Sequence, residues 1–185
     1  MKSLILVIVS GPSGVGKTTL ARKLADKYNL PLIYKDGLKE ILFDDLGIKD
    51  RAWSRVLGNT SHSLLNHVSE QLLIAKISHI IEAPFMPEYE NERLNKLKEK
   101  YNFTPIQIQL GSDRKTIFQR MKNRVKNNER HPGHADKEIG KKDISRLIEE
   151  YDSLDIGGVI HKIDTTDFDR VDLTEVFNSL DTYLK

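Results

Sequence analysis

The chain contains no cysteine, which excludes disulfides and every thiolate-based metal or redox centre. It also lacks a long apolar run. The N-terminal stretch Leu4 to Val9 is too short to cross a bilayer and leads straight into a glycine-rich turn, so it reads as a buried strand. Nothing else looks like an address, so the expectation is a cytoplasmic protein with no membrane partner. A large charge of one sign is missing as well, the formal net charge being +2, which argues neither for nor against a nucleic-acid partner. Aromatics make up only 7% of the residues and do not interleave with the basic stretch, which disfavours a base-stacking platform for single strands. Repeats, linkers and low-complexity tracts are absent, and 185 residues suit one compact α/β unit, so a single domain spanning 1–185 is expected.

What is present is concentrated in one stretch, Gly11-Pro12-Ser13-Gly14-Val15-Gly16-Lys17-Thr18, with Thr19 next. An apolar strand precedes it and a helical pattern follows, the setting in which G-x-x-x-x-G-K-[ST] is a phosphate-binding loop. Glycines let successive backbone N–H groups turn inward on a polyphosphate, and the helix start adds its positive end. Lys17 is then expected on the outer phosphates and the Thr18 hydroxyl on the accompanying magnesium.

The chain then alternates between the two periodicities. Leu20, Ala21, Leu24, Ala25 and Tyr28 recur at helical spacing before Asn29-Leu30-Pro31, and Leu32 to Tyr34 is a second strand. Asp36 lies just beyond that strand, at the sheet edge where ligands of parallel α/β folds bind. A helix is expected from Leu38 to Leu46 and another from about His62 to Lys76, with Leu65, Val68, Leu72 and Ala75 on one face. Lys49 to Ser61 carries no clear period, and Trp53 within it reads as a packing residue. The third strand, Ile77 to Ala83, contains Glu82 near its end, the position of an acid that holds magnesium directly or through water. A helix over Pro87 to Tyr101, a strand over Pro105 to Leu110 and a helix capped by Ser112 and carrying Ile117, Met121 and Val125 come next. Val159 to Asp164 forms the fifth strand, and Asp172 to Leu184 a closing helix.

Charge is unevenly spread. From Arg114 to Lys142 there are ten Lys or Arg against three Asp or Glu. Arg120 and Arg124 lie one helical turn apart and would repel unless something anionic faced them, a role a bound triphosphate fills. Residues 127–140 carry proline, glycine and charge without apolar period, the makings of a mobile lid over roughly 114–142. Arg130, His131 and His134 in that loop are candidate substrate contacts. Pro132-Gly133 makes a turn rather than a helix face, so a metal pair of the two histidines is disfavoured. A helix beginning at Asp143, with Ile144, Leu147, Ile148 and Tyr151, completes the segment.

With these residues in place, the chain resembles the phosphate-loop kinases, particularly the group of chloramphenicol phosphotransferase-like and polynucleotide kinase-like enzymes. The resemblance rests on Gly11 to Thr18, Asp36, the Ile80-Ile81-Glu82 strand end, Arg120 and Arg124 before the basic lid, and Ile163-Asp164-Thr165. It implies a three-layer α/β/α phosphate-loop NTPase fold with a five-stranded parallel sheet in the order 2-3-1-4-5. It further implies ATP on the loop with Mg2+ on Thr18 and Glu82, arginines closing on the phosphates, and Thr165 beside the nucleotide. Asp36 would contact the acceptor hydroxyl as general base. Lys39 stands where the polynucleotide kinases have an arginine for a substrate phosphate, and Glu82 where an aspartate is usual. The implied activity is transfer of the ATP γ-phosphate to a hydroxyl of a small molecule or nucleotide. A 5′-hydroxyl nucleic-acid end kinase and a regulatory NTP-binding protein without an acceptor are the alternatives. A guanine-specific switch is disfavoured by the missing N-K-x-D reader.

Overall fold

The computed structural model describes residues 3–127, 130–134 and 152–184. Its strands are β1 (Ile5–Ser10), β2 (Leu32–Tyr34), β3 (His79–Glu82), β4 (Thr104–Gly111) and β5 (Val159–Asp164). All pair in parallel, in the order β2-β3-β1-β4-β5. β1 is central and every one of its residues is buried, which is why it reads as a continuous apolar run rather than an alternating one.

Its side chains divide the core between the two faces of the sheet. Ile5, Val7 and Val9 join Leu20, Ala21 and Leu24 of α1 (Lys17–Tyr28), Ile117 and Met121 of α5 (Arg114–Lys126), and Val176 and Leu180 of α6 (Thr174–Leu184). On the other face Leu6 and Ile8 meet Leu65 and Leu73 of α3 (Arg51–Ile74) and Leu94 and Leu97 of α4 (Pro87–Tyr101). Helices on both faces of a parallel sheet give the expected three layers.

Three local expectations are corrected. α2 (Lys35–Leu46) begins directly after β2, which puts Asp36 in its first turn. The unperiodic stretch after Lys49 is the first half of α3, one 24-residue helix capped by Asp50, whose carboxylate accepts from the Trp53 backbone N–H at 2.7 Å. Its inward stripe is Leu57, Ser61, Leu65, Ser69 and Leu73, and Val68 is 38% exposed. Trp53 packs the α2–α3 connection, its indole donating to the Gly47 carbonyl at 2.9 Å beneath the Lys49 ammonium. The cap of α5 is Asp113, not Ser112. The helix expected from Asp143 and most of the expected lid loop lie outside the described residues.

Candidate active site

The loop between β1 and α1 takes the shape its glycines allow, Gly11, Gly14 and Gly16 all having positive φ. Gly16 also lies so close beneath the Phe168 ring that a Cβ there would meet the ring at 2.0 Å. Phe168 opens a short 3-10 turn, Phe168–Arg170, after β5. The loop is braced from the same side by Thr165, whose hydroxyl lies 2.9 Å from the carbonyls of both Val15 and Gly111. Thr165 is 1% exposed, so it holds the loop's shape from beneath.

At the start of α1, the Lys17 ammonium donates to the Pro12 carbonyl at 2.9 Å and lies 4.0 Å from the Glu82 carboxylate. The Thr18 hydroxyl donates to the other oxygen of Glu82 at 2.7 Å. Pairing of β3 beside β1 in register Val9↔Glu82 delivers that acid to the mouth of the loop. Burial pushes the Glu82 pKa up and that of Lys17 down, against the attraction between them. No group of three His, Cys, Asp or Glu able to cage a metal occurs among the described residues. Magnesium in phosphate sites needs no such cage, being held by one or two protein oxygens together with phosphate and water. A hydroxyl and a carboxylate oxygen side by side fit that hard cation.

Asp36 is brought to the same edge by the short β2. It receives Arg130 at 2.9 Å. Burial alone would raise the Asp36 pKa, but the cationic surroundings led by Arg130, which also donates a hydrogen bond, outweigh it and the net direction is down. Arg124 and Arg130 both lie near enough to Lys17 for their charge to be felt there. Arg120, one turn before Arg124, is turned toward β5. It donates to the Thr165 carbonyl at 2.6 Å and stacks 4.5 Å over Phe168, while its Nη1 is buried with no hydrogen-bond partner among the described residues.

Residues 130–134 do not hang free over the loop. Gly133 and His134 are buried against Phe43 of α2; His131 stacks on that ring and His134 meets its edge. His131 bonds Asp44 at 3.1 Å and His134 bonds Glu40 at 3.0 Å. Lys39 donates to Ser54 of α3 at 2.9 Å, and the Ser54 hydroxyl donates to the Gly133 carbonyl at 3.4 Å. The reading of the sequence missed Phe43, Phe168 and the acids Glu40 and Asp44. A signal for the acids was there, since Asp36, Glu40 and Asp44 recur every four residues on one helix face opposite Arg130, His131 and His134. No motif announces either phenylalanine.

A cavity of about 500 Å³ opens at the ends of β4 and β5, lined by Pro12, Gln109, Ser112, Lys162 and Asp164 among others. A smaller, mostly apolar one of about 140 Å³ lies beside Thr19, Lys23 and Phe168. No described helix is long and apolar enough to cross a membrane.

The arrangement has close parallels among known proteins. A family model described as an AAA domain matches residues 6–147. The crystal structure of a candidate kinase from Chloroflexus aurantiacus J-10-fl superposes with a TM-score of 0.85 at 32% identity, covering 100% of this chain and 97% of that one. A gluconokinase from Sinorhizobium meliloti 1021 (TM-score 0.57, 17% identity, 100% and 93% covered) shares the fold. So does a shikimate kinase from Bacteroides thetaiotaomicron (0.55, 17%, 96% and 95%). Among proteins of curated function none matches the chain.

Proposed function

The chain belongs to this AAA domain family and has a phosphate-loop kinase fold, and from that premise we propose that it is an ATP-dependent kinase acting on a hydroxyl of a small-molecule or nucleotide acceptor. The observation that carries the reading is the meeting of two sets of groups at one sheet edge. Lys17, Thr18 and Glu82 form a triphosphate and metal seat; Asp36 with Arg130 forms a paired acid beside it.

In this reading the loop amides and Lys17 hold the β- and γ-phosphates, so Lys17 exchanges the Pro12 carbonyl for phosphate oxygens. Thr18 and Glu82 would hold a magnesium ion, which would neutralise charge on the phosphates. Asp36 accepts the proton of the acceptor hydroxyl as the hydroxyl oxygen bonds the γ-phosphorus in line and the bond from that phosphorus to the β-phosphate oxygen breaks, releasing ADP. Arg124 and Arg130 meet the charge spread over the transferring group. Arg120, whose buried Nη1 has no acceptor among the described residues, serves the nucleoside side with Phe168. Lys39 lines the acceptor side, while His131 and His134 support it from behind by packing on α2.

The test is release of ADP from ATP across sugars, amino alcohols, antibiotics, nucleosides and 5′-hydroxyl oligonucleotides. Turnover with one compact class, lost in Lys17→Ala, is the expected result. Turnover with oligonucleotides alone would move the assignment to an end kinase, and tight Mg·ATP binding without any acceptor to a regulatory protein.

A further inference from the structure

Arg130 belongs to no helix or strand, yet it reaches a carboxylate 94 residues earlier in the chain with its guanidinium at 2.9 Å. Something must hold the backbone that carries it. The four residues that follow do so on one platform. Gly133 lies over the face of Phe43 so closely that a Cβ would meet ring carbons at 2.5 Å. His131 stacks on the ring with centroids 5.4 Å apart and planes 11° from parallel, and His134 meets it edge-on at 5.8 Å. Outside the ring, Glu40 and Asp44 take the two imidazoles, Ser54 takes the Gly133 carbonyl, and the Gly133 N–H returns to His131 Nδ1 at 3.1 Å. Phe43 is 2% exposed and His134 8%, so the platform is dry.

We infer that Phe43, His131, Gly133 and His134 form a positioning clamp that sets Arg130 on Asp36, and so govern the working state of the acid without touching substrate. The inference rests on the proposed role of Asp36 for its catalytic consequence, but its geometry can be read without turnover. Only glycine fits at 133, for reasons of approach to the ring rather than of backbone angle. Asp36 faces Arg130 and His134 from the clamp, Lys17 from the loop, Lys35 beside it on α2 and Glu82 from β3. Of these, the clamp controls Arg130 and His134.

The experiment follows the Asp36 carboxyl by carbon-13 NMR titration of the full chain. Arg130→Ala sets the scale by raising the Asp36 midpoint. Gly133→Ala, and Phe43→Leu as a second variant should the first misfold, are expected to recover at least half of that rise while leaving calorimetric Mg·ATP affinity within twofold of wild type. His134→Gln, which keeps a donor for Glu40, is expected to stay near wild type. Once an acceptor is known, Gly133→Ala should lower kcat, move its acid limb upward and leave the KM for ATP unchanged. A wild-type Asp36 midpoint in both clamp variants overturns the inference, as does an unmoved midpoint in Arg130→Ala. Failure of the kinase reading looks different: no ADP release with any acceptor, and the NMR shifts intact.

Discussion

Asp36 and His134 are neighbours in space whose charges are set by opposite balances. At Asp36 burial is outweighed by its cationic surroundings, Arg130 foremost, so the carboxylate persists below the ordinary range. As a base it is therefore ionised throughout neutral and mildly acidic pH. Asp36→Asn is expected to remove phosphoryl transfer while leaving Mg·ATP affinity nearly unchanged, read by coupled assay and calorimetry side by side. At His134 burial and the charge of Arg130 lower the pKa from 6.5 to about 3. The sign follows: the docked imidazole is neutral, an undocked one charges below about pH 6.5, and docking of residues 130–134 weakens as pH falls through that point. Imidazole NMR should find His134 uncharged at about pH 5, where a free histidine is mostly protonated.

Among the elements, α4 is tied to α3 through two acids, Glu70 of α3, which accepts from Tyr101 and Lys100, and the more deeply buried Glu90 of α4. Glu90 is 4% exposed, bonds His62 of α3 and takes Arg93 at 2.7 Å. Burial would raise its pKa, but His62 and Arg93 bring it below the ordinary 4.5. Glu90→Ala should cost about 2 kcal/mol in urea unfolding, and the gap from wild type should narrow as pH falls below 4.5. The same helices mark what was legible in the sequence. The loop, the five strands, and α1, α4 and α5 follow from apolar runs and from i, i+4 spacing of Leu, Ile and Met. The first half of α3 does not, because beside Leu57 the residues it turns inward are Ser54, Gly58 and Ser61, small groups that permit close packing but leave no hydrophobic period. The candidate site divides likewise: Lys17, Thr18, Glu82 and Asp36 are legible as candidates from motif and strand end. The contacts of Arg120 with Phe168 and of residues 130–134 with Phe43 depend on tertiary packing across distant segments.

Over the molecule as a whole, ligand and fold should stabilise each other. If the loop binds Mg·ATP only when folded, nucleotide at about 100 times its Kd adds about 2.7 kcal/mol, which for a chain of this length raises Tm by about 5–10 °C. Lys17→Ala should lose most of that rise in scanning calorimetry while keeping the ligand-free Tm within a few degrees. An equal rise in both would mean that nucleotide binds elsewhere.

The Thr165 hydroxyl shares its one proton between the carbonyls of Val15, 150 residues back along the chain, and Gly111 across the strand gap. Residues 6–147, the span matched by the family model, stop short of that threonine and of β5. A fragment ending there would retain every letter of the glycine-rich signature while losing the hydroxyl that fixes its curvature and the strand that covers the flank of β4. Possession of the signature and competence to grip nucleotide would then come apart, and shortening this gene from its 3′ end should silence the loop without altering a single codon of it.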